Sequence, residues 1–248
     1  MVGQNILGLG AGTLDIQNTE RSTRIEKIGH RGAPREFPEN SLPAFRRAFE
    51  RGANAVELDV HATSDGEVVV HHDPVIGRGA NSYGGVPIAD LAFAQLKAVR
   101  LAEGIGIPTL AEVLRVVPDG SRVYVEIKGE SIEELVADVI RRSSVDCAVH
   151  SFDHSTIARL RRVAPEIPRG ILYDRHAIDL EAAMRETGAR DVWPNWKLVD
   201  RATVDLVHAR GGRVIAWTVN SAAAAEDLIA VGVDGVCTDD VRLLGDLA

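Results

Sequence analysis

Three carboxylates stand at spacings that would place them on shared faces of β-strands. Glu57 and Asp59 lie two residues apart in the apolar run AVELDV, and Glu126 precedes Lys128 by two in VYVEIK. Side chains at i and i+2 of a strand point to the same side of a sheet. Carboxylates within about 4–6 Å of one another push at least one of them towards its neutral form. A divalent cation would relieve this repulsion, and an oxygen-only donor set suits Mg2+ or Ca2+ rather than Zn2+.

A salt-bridge network is the alternative interpretation of the same acids. Lys128 and Arg31 carry positive charges that could neutralise the three carboxylates without a metal ion. The spacing leaves both interpretations open.

Two histidines complete the set of residues that could take part in catalysis. His30 ends the apolar run KIGH, and His72 ends a run that returns beside AVELDV. Imidazole titrates near neutral pH, so a pair of histidines can divide the roles of base and acid. Arg31 and Lys128 would supply positive charge for an anionic oxygen. Together these residue types indicate phosphoryl chemistry.

The other histidines receive no catalytic role. His61 and His71 alternate to the opposite faces of their strands, so we interpret them as structural. No cluster can be argued for the rest, which are His150, His154, His176 and His208.

Strand-like and helix-like segments alternate from about residue 25 to the end of the chain, which implies a parallel sheet. The predicted strands are 24–30, 55–60, 122–128, 147–152, 169–173, 191–195, 213–219 and 234–239. The predicted helices include 41–52, 131–142, 153–163, 178–187, 200–210 and 221–230. Eight strand–helix units in 248 residues predict an α/β fold, the (β/α)8 TIM barrel, with its site at the carboxyl ends of the strands.

One pair of strands breaks the alternation. The run at 67–72 follows AVELDV after only TSDGE, which is too short for a parallel crossover and carries an Asp-Gly turn signal. We therefore expect an extra antiparallel hairpin strand after strand 2. The insertion that follows, at about 75–105, is rich in glycine, and we expect it to lie over the barrel mouth with a short helix near 89–98.

The remaining sequence features limit the domain organisation, the partners and the location of the protein. Residues 1–24 are interpreted as an N-terminal extension and 25–248 as a single domain. The net charge of −8 argues against a nucleic acid or an anionic membrane as partner, since both need a basic face. The sequence has no apolar run of 18 residues, so no stable membrane insertion is expected. Two cysteines, Cys147 and Cys237, are read as buried thiols, and a cytoplasmic location is the default. The sequence does not indicate an oligomeric state.

An ordered set of motifs runs from about residue 27 to the end of the chain. It comprises GHRG (29–32), PENSLPAF (38–45), GANAVELDVHATSDGEVVVHHDP (52–74), IPTLAEVL (107–114), VYVEIKG (123–129), SFD (151–153), WTVN (217–220) and GVDGVCTDD (232–240). With these motifs the chain resembles the glycerophosphodiester phosphodiesterases, which are barrels of the phosphatidylinositol-phospholipase-C-like type.

The resemblance implies hydrolysis of a small-molecule glycerophosphodiester to sn-glycerol 3-phosphate and an alcohol, with one divalent cation, Mg2+ or Ca2+. By position it implies metal ligands (Glu57, Asp59, Glu126), an acid–base pair (His30, His72) and phosphate-binding cations (Arg31, Lys128). Trp217 would contact the substrate glycerol or plug the barrel. A lysophospholipid or another phosphodiester as substrate, and a non-catalytic phospho-ligand-binding barrel, are the alternatives.

Two departures from the family pattern stand out. The last motif lacks the proline that commonly follows its aspartate, and the loop 33–37 (APREF) carries larger residues than is common. We expect the first departure to affect only the C-terminal loop and the second to bear on the choice of leaving group.

Overall fold

The computed structural model describes residues 25–77, 83–175 and 178–245. The predicted N-terminal extension (1–24) and His176 lie outside these ranges.

Eight parallel strands form a closed ring, which confirms the predicted barrel. The ring strands are β1 (Glu26–His30), β2 (Ala55–Ala62), β4 (Arg122–Ile127), β5 (Asp146–Ser151), β6 (Arg169–Tyr173), β7 (Asp191–Pro194), β8 (Arg213–Ala216) and β9 (Gly235–Thr238). Closure occurs at β1, which pairs in parallel with β2 on one side and with β9 on the other. The first and last strands of the chain are therefore neighbours.

Helices cover the outside of the ring. They are α1 (Leu42–Glu50), α2 (Phe93–Leu96), α3 (Leu110–Leu114), α4 (Glu133–Arg141), α5 (His154–Val163), α6 (Leu180–Thr187), α7 (Arg201–His208) and α8 (Ala222–Val231). Five of them start after a Ser or Asp whose side chain accepts a hydrogen bond from the first turn: Ser41, Asp153, Asp179, Asp200 and Ser221. Each such cap contributes about 1 kcal/mol, and these residues are what made the helix starts predictable.

The core has two layers, and strand alternation decides which residue enters which layer. Branched residues such as Val56, Leu58 and Val125 face the helices in one large cluster. The barrel interior holds a second cluster with one residue from each strand: Ile28, Ala55, Tyr124, Ala148, Leu172, Trp193, Ile215 and Cys237. This second cluster fills the lower interior, so only the upper end of the barrel is open for a site.

The extra strand β3 (Val68–Val70) pairs antiparallel with the end of β2, with Val60 opposite Val70, as predicted. It lies outside the ring.

The insertion at 75–105 behaves differently from our expectation. Its described residues include a 3-10 turn (Ile88–Asp90) and the four-residue helix α2, which lies within the range 89–98 predicted for a short helix. Ile76, Leu96 and their neighbours pack on Val69 of β3 in a separate small core. The described part of the insertion therefore lies beside the hairpin, and none of it lines the cavity at the barrel mouth.

Both cysteines are buried and unpaired, as predicted. Within the described ranges, no helix has the length and apolar character needed to cross a membrane.

Candidate active site

A cavity of about 240 Å3 opens at the carboxyl ends of the barrel strands. It is lined by His30, Arg31, Glu57, His72, Glu126, Lys128, His150, Phe152, Leu172, Trp193, Trp217 and Cys237. All but one of the predicted site residues therefore meet in one space. The exception, Asp59, is 1% exposed and lies behind Arg31 and Lys128.

Strand register explains this convergence. Asp59 of β2 is opposite Glu126 of β4, and Glu126 is in turn opposite His150 of β5. Paired residues on adjacent parallel strands point to the same side of the sheet, so the three side chains form a row inside the barrel. Glu57 lies two residues before Asp59 on β2, so its side chain also points into the barrel interior, one layer lower.

Asp59 is the acid that the local cations neutralise. Arg31 Nε lies 3.2 Å from Asp59 Oδ2 and Lys128 Nζ lies 3.5 Å from Oδ1. Asn40 Nδ2 donates a hydrogen bond to Oδ2 at 2.8 Å. Burial opposes the charge, but Arg31, Lys128 and Asn40 together hold the pKa of Asp59 below its usual range. Its Oδ1 still has no hydrogen-bond donor, which is a costly state for a buried carboxylate oxygen.

The other two acids are less well neutralised, although Lys128 Nζ also lies 3.0 Å from Oε1 of Glu126. Burial, reinforced by the charge of Asp59, raises the pKa of Glu57 and of Glu126 to about 7. Each shift corresponds to about 3 kcal/mol in favour of the neutral acid. Three carboxylates share two permanent cations, Arg31 and Lys128, and His30, whose Nε2 lies 3.9 Å from Oε2 of Glu57, adds positive charge when it is protonated. The salt-bridge network exists, but it is incomplete without further positive charge.

These donors fit a divalent cation. The unpaired Oδ1 of Asp59 and the raised pKa values of Glu57 and Glu126 are the features that a bound cation would correct. Ligand atoms of Glu57, Glu126 and His150 lie within 4.8 Å of one another.

His150 is a site residue that the sequence reading missed. The alternation of β5 shows why it belongs here: Cys147 and Val149 face the helices, whereas Ala148 and His150 face the interior. The same period-2 argument used for Glu57 and Glu126 would have found it. Burial lowers the pKa of His150 to about 4, so its ring is neutral at ordinary pH.

His30 is held by a second residue that the sequence reading missed, Asp239. His30 Nδ1 lies 2.7 Å from Asp239 Oδ1, and Asn220 Nδ2 donates to Asp239 Oδ2 at 2.6 Å. Burial disfavours the charged imidazole, but the bond to Asp239 and the nearby charge of Glu57 outweigh it and raise the pKa of His30. The signal was present, because Asp239 is the aspartate of the last motif.

His72 has the same arrangement on the opposite side. Its Nδ1 lies 2.8 Å from Asp73 Oδ1, so Asp73 orients the ring. The side chain of His72 is 34% exposed and that of His30 19%. In both histidines Nδ1 is engaged by a carboxylate, so Nε2 is the nitrogen available to a ligand.

The turn after β1 positions Arg31. The backbone of Arg31 has φ +55° and that of Gly32 φ +89°. A Cβ on Gly32 would lie 2.6 Å from the carbonyl carbon of Ala44, so glycine is required for α1 to approach. Asn40 closes this turn, since its N–H donates to the carbonyl of Arg31 at 3.0 Å. Ser41, not Asn40, is the cap of α1.

Aromatic rings form one wall of the cavity. Trp217 is anchored by its Nε1, which donates to the Trp193 carbonyl at 2.9 Å, and its ring meets Phe152 edge-on at 5.3 Å. Phe152 is 41% exposed at the mouth. Trp217 thus presents a fixed apolar surface beside the charged residues.

The loop 33–37 lies apart from the cavity lining. Glu36 is bound by Arg51 in a two-bond ion pair and approached by Arg47. Arg35 lies 3.8 Å from Asp240. The effect of this loop on the leaving group stays a prediction.

Fold and site together define a (β/α)8 barrel in which acids, histidines and two basic side chains converge at the carboxyl ends of the strands. The sequence profile of the glycerophosphoryl diester phosphodiesterase family matches residues 30–243. A glycerophosphodiester phosphodiesterase of Caldanaerobacter subterraneus is 32% identical over 235 residues, which are 89% of this chain and 96% of the relative. The chain therefore belongs to the glycerophosphoryl diester phosphodiesterase family.

Solved structures agree with the barrel fold. A glycerophosphodiester phosphodiesterase from Thermotoga maritima has a TM-score of 0.76 and 27% identity, over 91% of this chain and 99% of that one. A phosphodiesterase from Oleispira antarctica, solved with its product sn-glycerol 3-phosphate, has a TM-score of 0.80 and 24% identity, over 89% and 95%.

Proposed function

We propose that this enzyme hydrolyses glycerophosphodiesters to sn-glycerol 3-phosphate and an alcohol with the help of a divalent cation. The observation that carries the proposal is the convergence of two carboxylate-bound histidines, two cations and an under-neutralised acid cluster in one cavity. The family and the product held by the Oleispira antarctica protein support the choice of substrate class.

Glu57, Asp59 and Glu126 are the residues proposed to hold the cation. When bound, the cation would act as a Lewis acid on a phosphoryl oxygen and help to orient the glycerol hydroxyls. The same three carboxylates would gain the positive charge that Arg31 and Lys128 do not fully supply.

His30 and His72 are the proposed acid and base. Because a carboxylate engages Nδ1 of each ring, Nε2 of one can accept a proton from the attacking oxygen while Nε2 of the other gives a proton to the leaving alkoxide. The attacking oxygen is either water, which gives sn-glycerol 3-phosphate directly, or the 2-hydroxyl of the substrate, which expels the alcohol and leaves a cyclic phosphate that water then opens in a second step. The arrangement serves both routes.

Arg31 and Lys128 are proposed to hold the phosphate. Both already contact Asp59, which fixes their heads at the cavity edge. Preorganised cations of this kind favour the charge that develops on phosphoryl oxygens. Trp217 and Phe152 would pack against the carbon skeleton of the glycerol.

The cavity favours small polar substrates over lysophospholipids. Its volume of about 240 Å3 is smaller than the roughly 300–1,000 Å3 of most drug-sized ligand sites. Among the described residues, the exposed large apolar side chains are Val75, Leu135 and Phe152, and Phe152 alone of these lies at the cavity. An acyl chain would thus find little apolar surface at the mouth.

The cytoplasmic location stays a prediction from composition.

The test is a substrate panel. The protein is incubated with glycerophosphocholine, glycerophosphoethanolamine, bis-glycerophosphate and a lysophospholipid, and release of glycerol 3-phosphate, or of lysophosphatidate from the lysophospholipid, is measured with and without EDTA. We expect release from the first three that EDTA abolishes and that added cation restores. No turnover of any substrate with Mg2+, Ca2+ or Mn2+ present would favour the non-catalytic barrel instead.

A further inference from the structure

The imidazole of His150 has hydrogen-bonding capacity that the protein does not use. The side chain is 1% exposed, and neither ring nitrogen has a hydrogen-bond partner among the described residues. Its Nε2 lies 3.7 Å from Oε1 of Glu57, which is too long for a hydrogen bond. A buried polar group without a partner is uncommon and calls for a ligand or a specific role.

The ring is held in place by packing rather than by hydrogen bonds. It meets Trp193 edge-on at 4.3 Å between ring centroids and is stacked on Tyr124 at 6.2 Å. Gly170, on the neighbouring strand, makes room for it, since a Cβ there would lie 3.2 Å from the Cβ of His150. The pocket is therefore shaped around an imidazole that faces the acids.

We propose that Nε2 of His150 is a nitrogen ligand of the cation held by Glu57, Asp59 and Glu126. This inference rests on the metal-dependent function proposed above. Two atoms that bind one ion at about 2.1 Å each lie about 3–4 Å apart, and the separation from Glu57 falls in this range. The register row that joins Asp59, Glu126 and His150 places all of them on the same side of the barrel wall.

A nitrogen ligand changes the class of ion that the site prefers. Oxygen-only sites suit Mg2+ and Ca2+, whereas imidazole favours first-row transition ions. With His150 included, the site takes Co2+ or Zn2+ in preference to Ca2+. The oxygen-only set expected from the sequence omitted this residue.

The decisive measurement is electron spin echo envelope modulation on the full-length protein loaded with Mn2+. A directly bound imidazole gives a 14N modulation, and selective 15N-histidine labelling should replace it with the 15N pattern. We expect the modulation in wild type and in His154→Gln, a nearby histidine outside the cavity whose Nε2 contacts a backbone carbonyl. It should be lost in His150→Gln while Mn2+ stays bound.

Calorimetry on metal-free protein supplies a second readout. His150→Gln should weaken Co2+ binding by about 10-fold or more and Ca2+ binding by less than about 3-fold. Equal losses for both ions would contradict the proposal, as would wild-type protein without histidine modulation or His150→Gln that retains it. If His150→Gln does not fold, His30→Asn and His72→Asn carry the test, because loss of modulation in either would assign the nitrogen elsewhere.

Failure of this inference is separable from failure of the proposed function. Glycerol 3-phosphate release without histidine modulation would leave the enzyme intact and remove His150 as a ligand. Modulation without release from any substrate would keep His150 as a ligand and remove the proposed reaction.

Discussion

Nδ1 of His30 lies 2.7 Å from Oδ1 of Asp239, and this contact joins the first barrel strand to the residue that follows the last. Asn220 Nδ2 donates a hydrogen bond to the other carboxylate oxygen, so the side chain of Asp239 is held in the orientation that faces the ring. The pair leaves Nε2 of His30 directed to the cavity and favours the tautomer that a proton transfer needs.

Asp239→Asn should lower kcat by about 10- to 1,000-fold and leave KM within about threefold, because it disturbs the tautomer of His30 and not the binding residues. Steady-state kinetics and a melting curve measure this. Asp240→Asn is the matched control, since Asp240 pairs with Arg242 and Arg35 outside the cavity. A rise in KM alone would show that Asp239 acts in binding.

His30→Asn and His72→Asn should each lower turnover by roughly 100-fold or more, the usual scale for loss of acid–base catalysis. Asparagine can still donate to the carboxylate that each Nδ1 contacts, so the change removes mainly Nε2. His71→Asn is the control, because the Nδ1 of His71 bonds a backbone carbonyl. Near-wild-type rates in either of the first two variants would exclude that histidine from the chemistry.

The metal-free protein should lose stability as the pH rises from about 6.5 to 8. Burial raises the pKa of Glu57 and Glu126 to about 7, so in this window the folded protein binds more protons than the unfolded chain. Each acid should cost about 1 kcal/mol across the window. His150, with its pKa lowered to about 4, acts in the opposite direction mainly below about pH 6.5, and its opposing effect fades as the pH rises above that value.

Melting curves in EDTA at several pH values measure this effect, with about 2–4 °C expected per kcal/mol. Glu57→Gln should flatten the slope and abolish the rise in Tm that a divalent cation gives to wild type. A wild-type slope that is flat or rises with pH would contradict the assignment of the two buried acids.

Gly170→Ala should destabilise the protein by about 1–3 kcal/mol and weaken cation binding, because the new methyl group would crowd His150, Trp193 and the carbonyl of Asp191 at 3.1–3.2 Å. Gly77→Ala is the control, since nothing lies within 4 Å of its Cβ position, and it should change stability by less than about 0.5 kcal/mol. Denaturant unfolding compares the two. Equal stability would mean that the β6 wall can move away from His150.

Local rules predicted most of the barrel and part of the site. The period-2 spacing of Glu57 and Asp59, the Asp-Gly turn before β3 and the Ser and Asp helix caps each depend on residues close in sequence. The contact between His30 and Asp239 joins residues that are 209 positions apart and forms only when the ring of strands closes. The spacing of nearby residues in the sequence therefore could not predict it.

His150 and the insertion were misread for different reasons. His150 obeys the same alternation as Glu126, but a lone histidine in an apolar run resembles a core residue until its register with Glu126 is known. The insertion was expected at the mouth because of its position in the chain. The apolar face of Val69 provides a better surface, and the insertion packs there instead.

The partnership of β1 and β9 also bears on when the enzyme becomes competent during its synthesis. A ribosome-bound chain that has released the first seven barrel strands would carry His30, Arg31, Lys128 and all three acids, yet it would lack Asp239, the aspartate that contacts His30. Catalysis should therefore switch on only after the final segment has left the exit tunnel and closed the ring. The onset of glycerol 3-phosphate production would therefore mark the time at which the nascent chain completes its fold.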